Sequence, residues 1–173
     1  MITLEQLLES RDRRAGRQRS LLADRPASTL ICLTVQLPGP VKRDRRSLLT
    51  GGAGLAELLN KFGSVLSHVQ VQDLETGYEA YLLVPLDPFT VKRLCCRIED
   101  GHPLGRLMDI DVLFAEKDGA VRALDRASVG LPPRRCLLCD NEVRYCMRAR
   151  THTPEALLDR IDALVENFSA TGA

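Results

Sequence analysis

No stretch of this chain approaches the roughly 20 apolar residues needed to cross a bilayer, so no membrane-spanning helix is expected. The N-terminus, MITLEQLLESRDRR, lacks the basic-then-apolar order of a secretory signal. Net charge is scarce too: 24 Lys and Arg against 23 Asp and Glu leave +1, which disfavours general nucleic-acid binding. P-loop, dinucleotide-binding glycine and nucleophile-elbow patterns are missing. Internal repeats, low-complexity tracts and interdomain linkers are missing as well. What remains is a chain of 173 residues, 45% hydrophobic and 27% charged, which reads as one globular domain spanning 1–173. Six cysteines without a signal segment predict reduced thiols or metal ligands in a cytoplasm.

Local patterns then set the order of elements. Thr3 and Gln6 have capping-box spacing and open a helix through about Leu22, with Leu4, Leu7 and Leu8 as its early apolar stripe. Leu30–Leu37 (LICLTVQL) is a compact branched run that predicts a central strand, broken by Pro38-Gly39-Pro40. Residues 44–62 fit a helix with Leu48, Leu55, Leu59 and Phe62 on its buried face, although Gly51, Gly52 and Gly54 weaken that helix. Val65–Leu74 and Tyr78–Val84 read as a hairpin turning at Gly77. Asp87-Pro88 opens a helix with Val91, Leu94, Cys95 and Ile98 at core spacing and Gly101 as its stop. A strand through Asp109–Asp111 follows, then an Asp118-Gly119 turn into a short strand at Ala120–Leu124. A proline- and cysteine-bearing loop leads to a last helix after Thr153-Pro154, with Leu157, Ile161, Val165 and Phe168 buried. The fold expected is α+β, with a βαββαβ core flanked by N- and C-terminal helices. Its sheet is either antiparallel and ferredoxin-like or mixed and nucleotidyltransferase-like.

The segment His102–Phe114 (HPLGRLMDIDVLF) carries the strongest chemical signal. Side chains alternate across a strand, so Asp109 and Asp111 share one face while Met108, Ile110, Val112 and Phe114 share the other. Two adjacent acids repel and call for a cation, which phosphoryl-transfer enzymes supply as a divalent metal such as Mg²⁺. The bland alternative is a solvated edge strand. Gly105 is expected to free the backbone so that Arg106 reaches a phosphate, and His102 is either a general base, a phosphate donor or a turn-stabilising cap. Arg11, Arg14 and Arg17 follow at intervals of three within RDRRAGRQR and can grip a polyphosphate from one helix face. Lys42, just after a rigid strand end, and Arg134 and Arg135, opening a third basic stretch, join the phosphate-binding candidates. Cys136, Cys139, Cys146 and His152 form C-x2-C-x6-C-x5-H, three thiolates and an imidazole able to complete a structural zinc site. Their alternative is a set of reduced, partly buried thiols or a redox pair. Cys32, Cys95 and Cys96 read as packing residues.

Together HPLGRLMDIDVL, LPPRRCLLCD, SRDRRAGRQ and PGPVK resemble the CitX family, the apo-citrate lyase phosphoribosyl-dephospho-CoA transferases. The resemblance runs from about Leu7 to the last helix, and HPLGRxxDID combined with LPPRRCLLC is far more specific than either alone. It implies transfer of the 2'-(5''-phosphoribosyl)-3'-dephospho-CoA group from its triphosphate precursor to a serine of the citrate lyase acyl carrier protein, with loss of pyrophosphate. It also implies Mg²⁺ on Asp109 and Asp111. Members often place an aromatic residue before the DID triplet, where this chain has the core-facing Met108. The spacing picks out no third metal ligand, and Asp125 is the one candidate. Two other readings stay open: the equivalent transferase for a malonate decarboxylase carrier protein, and a non-catalytic zinc-stabilised binding module.

Overall fold

The structure is a computed structural model that describes residues 2–171. Helix α1 (Leu4–Asp24) starts at a reciprocal cap: the Thr3 hydroxyl accepts the Gln6 N–H, and the Gln6 side chain accepts that of Thr3. Strand β1 (Thr29–Val35), helix α2 (Arg45–Phe62), strands β2 (His68–Leu74) and β3 (Gly77–Val84) and helix α3 (Pro88–Gly101) follow. Strands β4 (Met108–Ala115) and β5 (Val121–Leu124) and helices α4 (Val143–Ala149) and α5 (Pro154–Ala170) complete the chain. The hairpin's first strand starts three residues later than expected, because Gly63–Val65 makes a single 3-10 turn. The cysteine loop, expected to be irregular, contains α4. No helix among the described residues is long and apolar enough to cross a membrane.

The sheet order is β2-β3-β1-β4-β5, and every neighbouring pair is antiparallel. Its first four strands have the spatial order of the split βαβ unit, so the ferredoxin-like alternative is realised and the mixed nucleotidyltransferase-like sheet is not. Strand alternation divides the core in two. Ile31, Leu33, Leu82, Ile110 and Val112 pack under α2, α3 and α5. Leu30, Cys32, Tyr81, Leu83 and Leu113 face the other way and meet Leu21 and Leu22 of α1. Burial pushes the Cys32 thiol up to about 12 and raises that of Cys95, as packing residues require.

Helix α2 corrects one expectation. Its buried face is Ser47, Thr50, Gly51, Gly54, Leu58 and Phe62, whereas Leu48 and Leu59 are 38% and 40% exposed. The glycines are the packing surface rather than a weakness. A methyl group on Gly51 would run into the Tyr78 ring, and one on Gly54 would press on Leu33 and Met108. Without Cβ atoms there, the helix settles onto the sheet with Leu58 and Phe62 inside, Leu55 packed at the edge of the core, and Leu48 and Leu59 turned outward.

Candidate active site

Asp109 and Asp111 project from β4 on the α1 side of the sheet, opposite Thr34 and Cys32 of β1. The Gln36 amide donates to Asp109 Oδ2 at 2.8 Å. Strand β5 pairs with β4 only from Val112 onward, so Ile110 has no partner strand on that edge. Two side chains of α3 replace it. Glu99 Oε1 accepts the Ile110 N–H at 2.9 Å, and Lys92 Nζ donates to the Ile110 carbonyl at 3.0 Å. Seven residues apart, these two groups lie two turns apart on one face of the helix. Both are almost fully buried, at 3% and 5% exposure, a burial tolerated because each is paired.

Charge is layered around this edge. Arg126 meets Glu99 Oε2 at 3.2 Å and Arg134 meets Glu99 Oε1 at 3.9 Å. The Arg134 guanidinium also stands 3.6 Å from Asp109 Oδ1 and donates to the Met108 carbonyl at 2.8 Å. The acids open onto a cavity of about 400 Å³ whose walls include Lys92, Asp125, Arg134 and Arg144. Burial raises the Asp111 pKa, and the neighbouring Asp109 raises it further, against the opposing pull of Lys92, Arg14 and Arg134. A half-buried carboxylate beside another acid, held on a rigid strand, is a donor set suited to a hard divalent cation. Asp125 follows directly on β5; Ser128 binds one of its oxygens through both backbone and hydroxyl, at 2.8 and 2.6 Å.

The remaining candidates fall into two groups. Arg11 and Lys42 line a smaller cavity, of about 100 Å³, with Thr34 and Gln36 on the same face as the acids. Thr34 is 6% exposed, and its hydroxyl has no partner among the described residues. Arg14 reaches this cavity but is bonded to buried Glu79 at 3.0 Å. The second group points elsewhere. Arg17 donates to Gln70 on β2 at 2.9 Å, and exposed Arg135 pairs with Asp140 at 3.2 Å. Arg106 donates to the carbonyls of Arg135 and Cys136, tying down the cysteine segment. Gly105 packs against the end of α3, where a Cβ would lie 2.6 Å from the Ile98 carbonyl, so close approach is what demands glycine there. His102 caps α3, accepts the Leu104 N–H on Nδ1 at 3.0 Å and tilts against Phe168, 5.2 Å between ring centroids. It sits on the α2–α5 side of the sheet, away from the acids, and burial lowers its pKa.

Sequence reasoning missed Lys92, Glu99 and Arg126, and held Arg144 only as part of the basic stretch from Arg134 to Arg150. The only signal for the first two was their seven-residue spacing, which becomes meaningful once β5 proves too short to cover Ile110.

The ligating atoms of Cys136, Cys139, Cys146 and His152 all lie within 4.8 Å of one another. Cys139 and Cys146 have their sulfurs 3.5 Å apart, and His152 Nε2 is 3.3 Å from Cys139 Sγ. A tetrahedral site with Zn–S near 2.3 Å has sulfurs about 3.8 Å apart, so only a small adjustment separates the cluster from a metal-bound one. Burial raises the Cys136 thiol, but hydrogen bonds from the Leu138 and Cys139 N–H groups and from the Cys146 and Cys139 thiols together outweigh it and leave the pKa lowered. The cluster can hold a metal ion such as zinc. It also gathers the segment that brings Arg134 and Arg144 to the cavity.

Known proteins match this chain along its length. The model for the family of apo-citrate lyase phosphoribosyl-dephospho-CoA transferases matches residues 2–168. A protein of that name from Escherichia coli O1:K1 / APEC is 37% identical over 172 residues, which is 98% of this chain and 91% of the relative. A probable apo-citrate lyase phosphoribosyl-dephospho-CoA transferase from Streptococcus pyogenes serotype M18 is 33% identical over 168 residues, 96% of this chain and 87% of its own length. On a match this extensive, the chain belongs to the CitX family of apo-citrate lyase phosphoribosyl-dephospho-CoA transferases.

Proposed function

We propose that this protein transfers the 2'-(5''-phosphoribosyl)-3'-dephospho-CoA group from its triphosphate precursor to a serine of the citrate lyase acyl carrier protein. The serine oxygen bonds to the α-phosphorus, the bond from that phosphorus to the oxygen bridging to the β-phosphate breaks, and pyrophosphate departs. The serine proton passes to solvent or to a cavity carboxylate. One observation carries this reading: a paired acid site, Asp109 and Asp111, at the wall of a cavity lined by cationic side chains from α3 and the cysteine segment.

Mg²⁺ held by Asp109 and Asp111 would neutralise charge on the phosphates and on the leaving group. The chain's own residues do the rest. Arg134 is fixed by backbone carbonyls and keeps guanidinium N–H groups for phosphate oxygens, while Arg11 and Lys42 suit the far end of a polyphosphate. Lys92 holds the strand edge between the acids, so the pair stays aimed at the cavity. Zinc on Cys136, Cys139, Cys146 and His152 is the structural metal in this reading, and a reducing cytoplasm keeps the thiols available to it.

The deciding experiment mixes purified protein, triphosphate precursor and apo carrier protein, with and without Mg²⁺, and follows carrier mass. Wild-type protein modifies the carrier only with the cation present, and Asp109→Ala and Asp111→Ala reduce the rate at least about 100-fold. Modification at wild-type rate by both variants would sink the assignment. A malonate decarboxylase carrier run in parallel settles which acceptor is preferred.

A further inference from the structure

The transferase reading requires a folded protein, not a free small molecule, to bring its hydroxyl to the cavity. We infer that α4 is the surface on which that carrier docks, and that it recognises an acidic patch around an apolar spot. The inference rests on the function proposed above.

Helix geometry makes the first argument. At about 100° per residue, Cys146 points roughly opposite to Arg144, while Tyr145, Met147 and Arg148 fan out on either side of Arg144. Cys146 is buried in the cysteine–histidine cluster, so the opposite face is turned outward. Tyr145 and Met147 are 61% and 70% exposed there. Between them lies Arg144, which lines the cavity holding Asp109 and Asp111. The exposed face is therefore continuous with the mouth of the site.

Composition makes the second. Tyrosine, methionine and arginine are the residue types enriched where proteins meet, because each offers large contact area with a polar or polarisable end. Charge makes the third. Arg144, Arg148 and Arg150 form no ion pair among the described residues, so one short helix and its cap gather three guanidinium groups without a carboxylate partner. Arg144 at the cavity wall, with Arg148 and Arg150 further along the same helix and its cap, attracts an acidic surface and orients it before contact. The cluster at Cys136, Cys139, Cys146 and His152 anchors the helix from beneath and presents this face with little freedom to lose on binding.

The test uses the full chain with a Tyr145→Ala/Met147→Ala double variant and, separately, Arg148→Glu. Carrier saturation kinetics are measured over a range of salt, precursor binding is measured by calorimetry, and melting confirms that each variant folds. KM for the carrier should rise about 10-fold or more in both variants, with kcat and precursor affinity unchanged. Salt should raise the wild-type KM and affect Arg148→Glu less. Wild-type KM in folded variants overturns the docking surface while leaving the transferase reading intact. An equal loss of precursor affinity also overturns it, by assigning α4 to the small substrate instead. Altered sedimentation of the protein alone with unchanged KM overturns it in favour of a second copy on this face. Failure of the wild-type protein to modify the carrier overturns both readings together.

Discussion

Arg134 stands 3.6 Å from the Asp109 carboxylate, yet the stronger hold on its guanidinium is the carbonyl of Met108, at 2.8 Å. The arginine is thus located by the backbone of the strand that carries the acids, not by neutralising one of them. Arg134→Lys keeps the charge but loses the planar fork, and is expected to lower the transfer rate about 100-fold. Arg134→Met also strips a partner from buried Glu99 and should cost about 3 kcal/mol of stability. Steady-state transfer kinetics and chemical denaturation check the two effects separately.

Zinc removal should act on the site at a distance. The cluster at Cys136, Cys139, Cys146 and His152 lies on the segment that delivers Arg134 and Arg144 to the cavity. Protein purified without chelator is expected to carry about one zinc per chain, and Cys139→Ser to carry much less. The variant should melt lower and bind precursor more weakly although it retains every residue lining the cavity. Elemental analysis, melting and calorimetry on the same preparations provide the check, and equal zinc in both proteins would remove the site.

Gly51 and Gly52 are neighbours with opposite tolerance. A Cβ on Gly51 meets the Tyr78 ring, with Cδ2 at 2.8 Å, whereas one on Gly52 meets nothing within 4 Å. Gly51→Ala should destabilise by about 1–3 kcal/mol through overpacking. Gly52→Ala should stabilise by about 0.5–1 kcal/mol, because alanine suits a helix interior better than glycine. Urea denaturation of the two variants measures both signs.

That pair also marks where the sequence was legible. Strands and caps could be read because their signals are local: alternation around Asp109 and Asp111, the reciprocal cap at Thr3 and Gln6, the Asp87-Pro88 start. The facing of α2 was legible only in part: Phe62 and Leu55 pack as their spacing suggests, but Leu48 and Leu59 turn outward because the glycines settle against Tyr78, Leu33 and Met108, which local spacing does not reveal. The acid pair was legible for the same local reason. Its cationic surroundings were not: Lys92 and Arg126 reach the site only through the short β5 and the pairing with Glu99, both long-range facts. For His102 the capping alternative is the one realised: it ends α3 and accepts the Leu104 N–H, on the other side of the sheet from Asp109.

Asp111 joins stability and function with opposite signs. Burial, and then Asp109, raise its pKa, so the folded protein binds that proton more tightly than the unfolded chain does. The contribution is therefore favourable at pH values below the ordinary aspartate range, near 4, and is lost as pH rises through the folded pKa. Above the folded pKa the full penalty of an ionised Asp111 is present. Asp111→Asn removes it, and in the absence of divalent cation should melt above the wild type near neutrality, with the difference shrinking as pH falls. Added Mg²⁺ should reverse the ranking, since a ligand that binds only the folded wild type raises its midpoint and leaves the variant unmoved. Transfer should follow the same carboxylate, falling in the wild type as acidification protonates Asp111 and staying near zero in the variant throughout. Scanning calorimetry across pH, with and without Mg²⁺, reads the stability signs. A variant that melts below the wild type at neutral pH without cation would mean that Asp111 is held by its protein neighbours alone, and that the pair has no need of a metal.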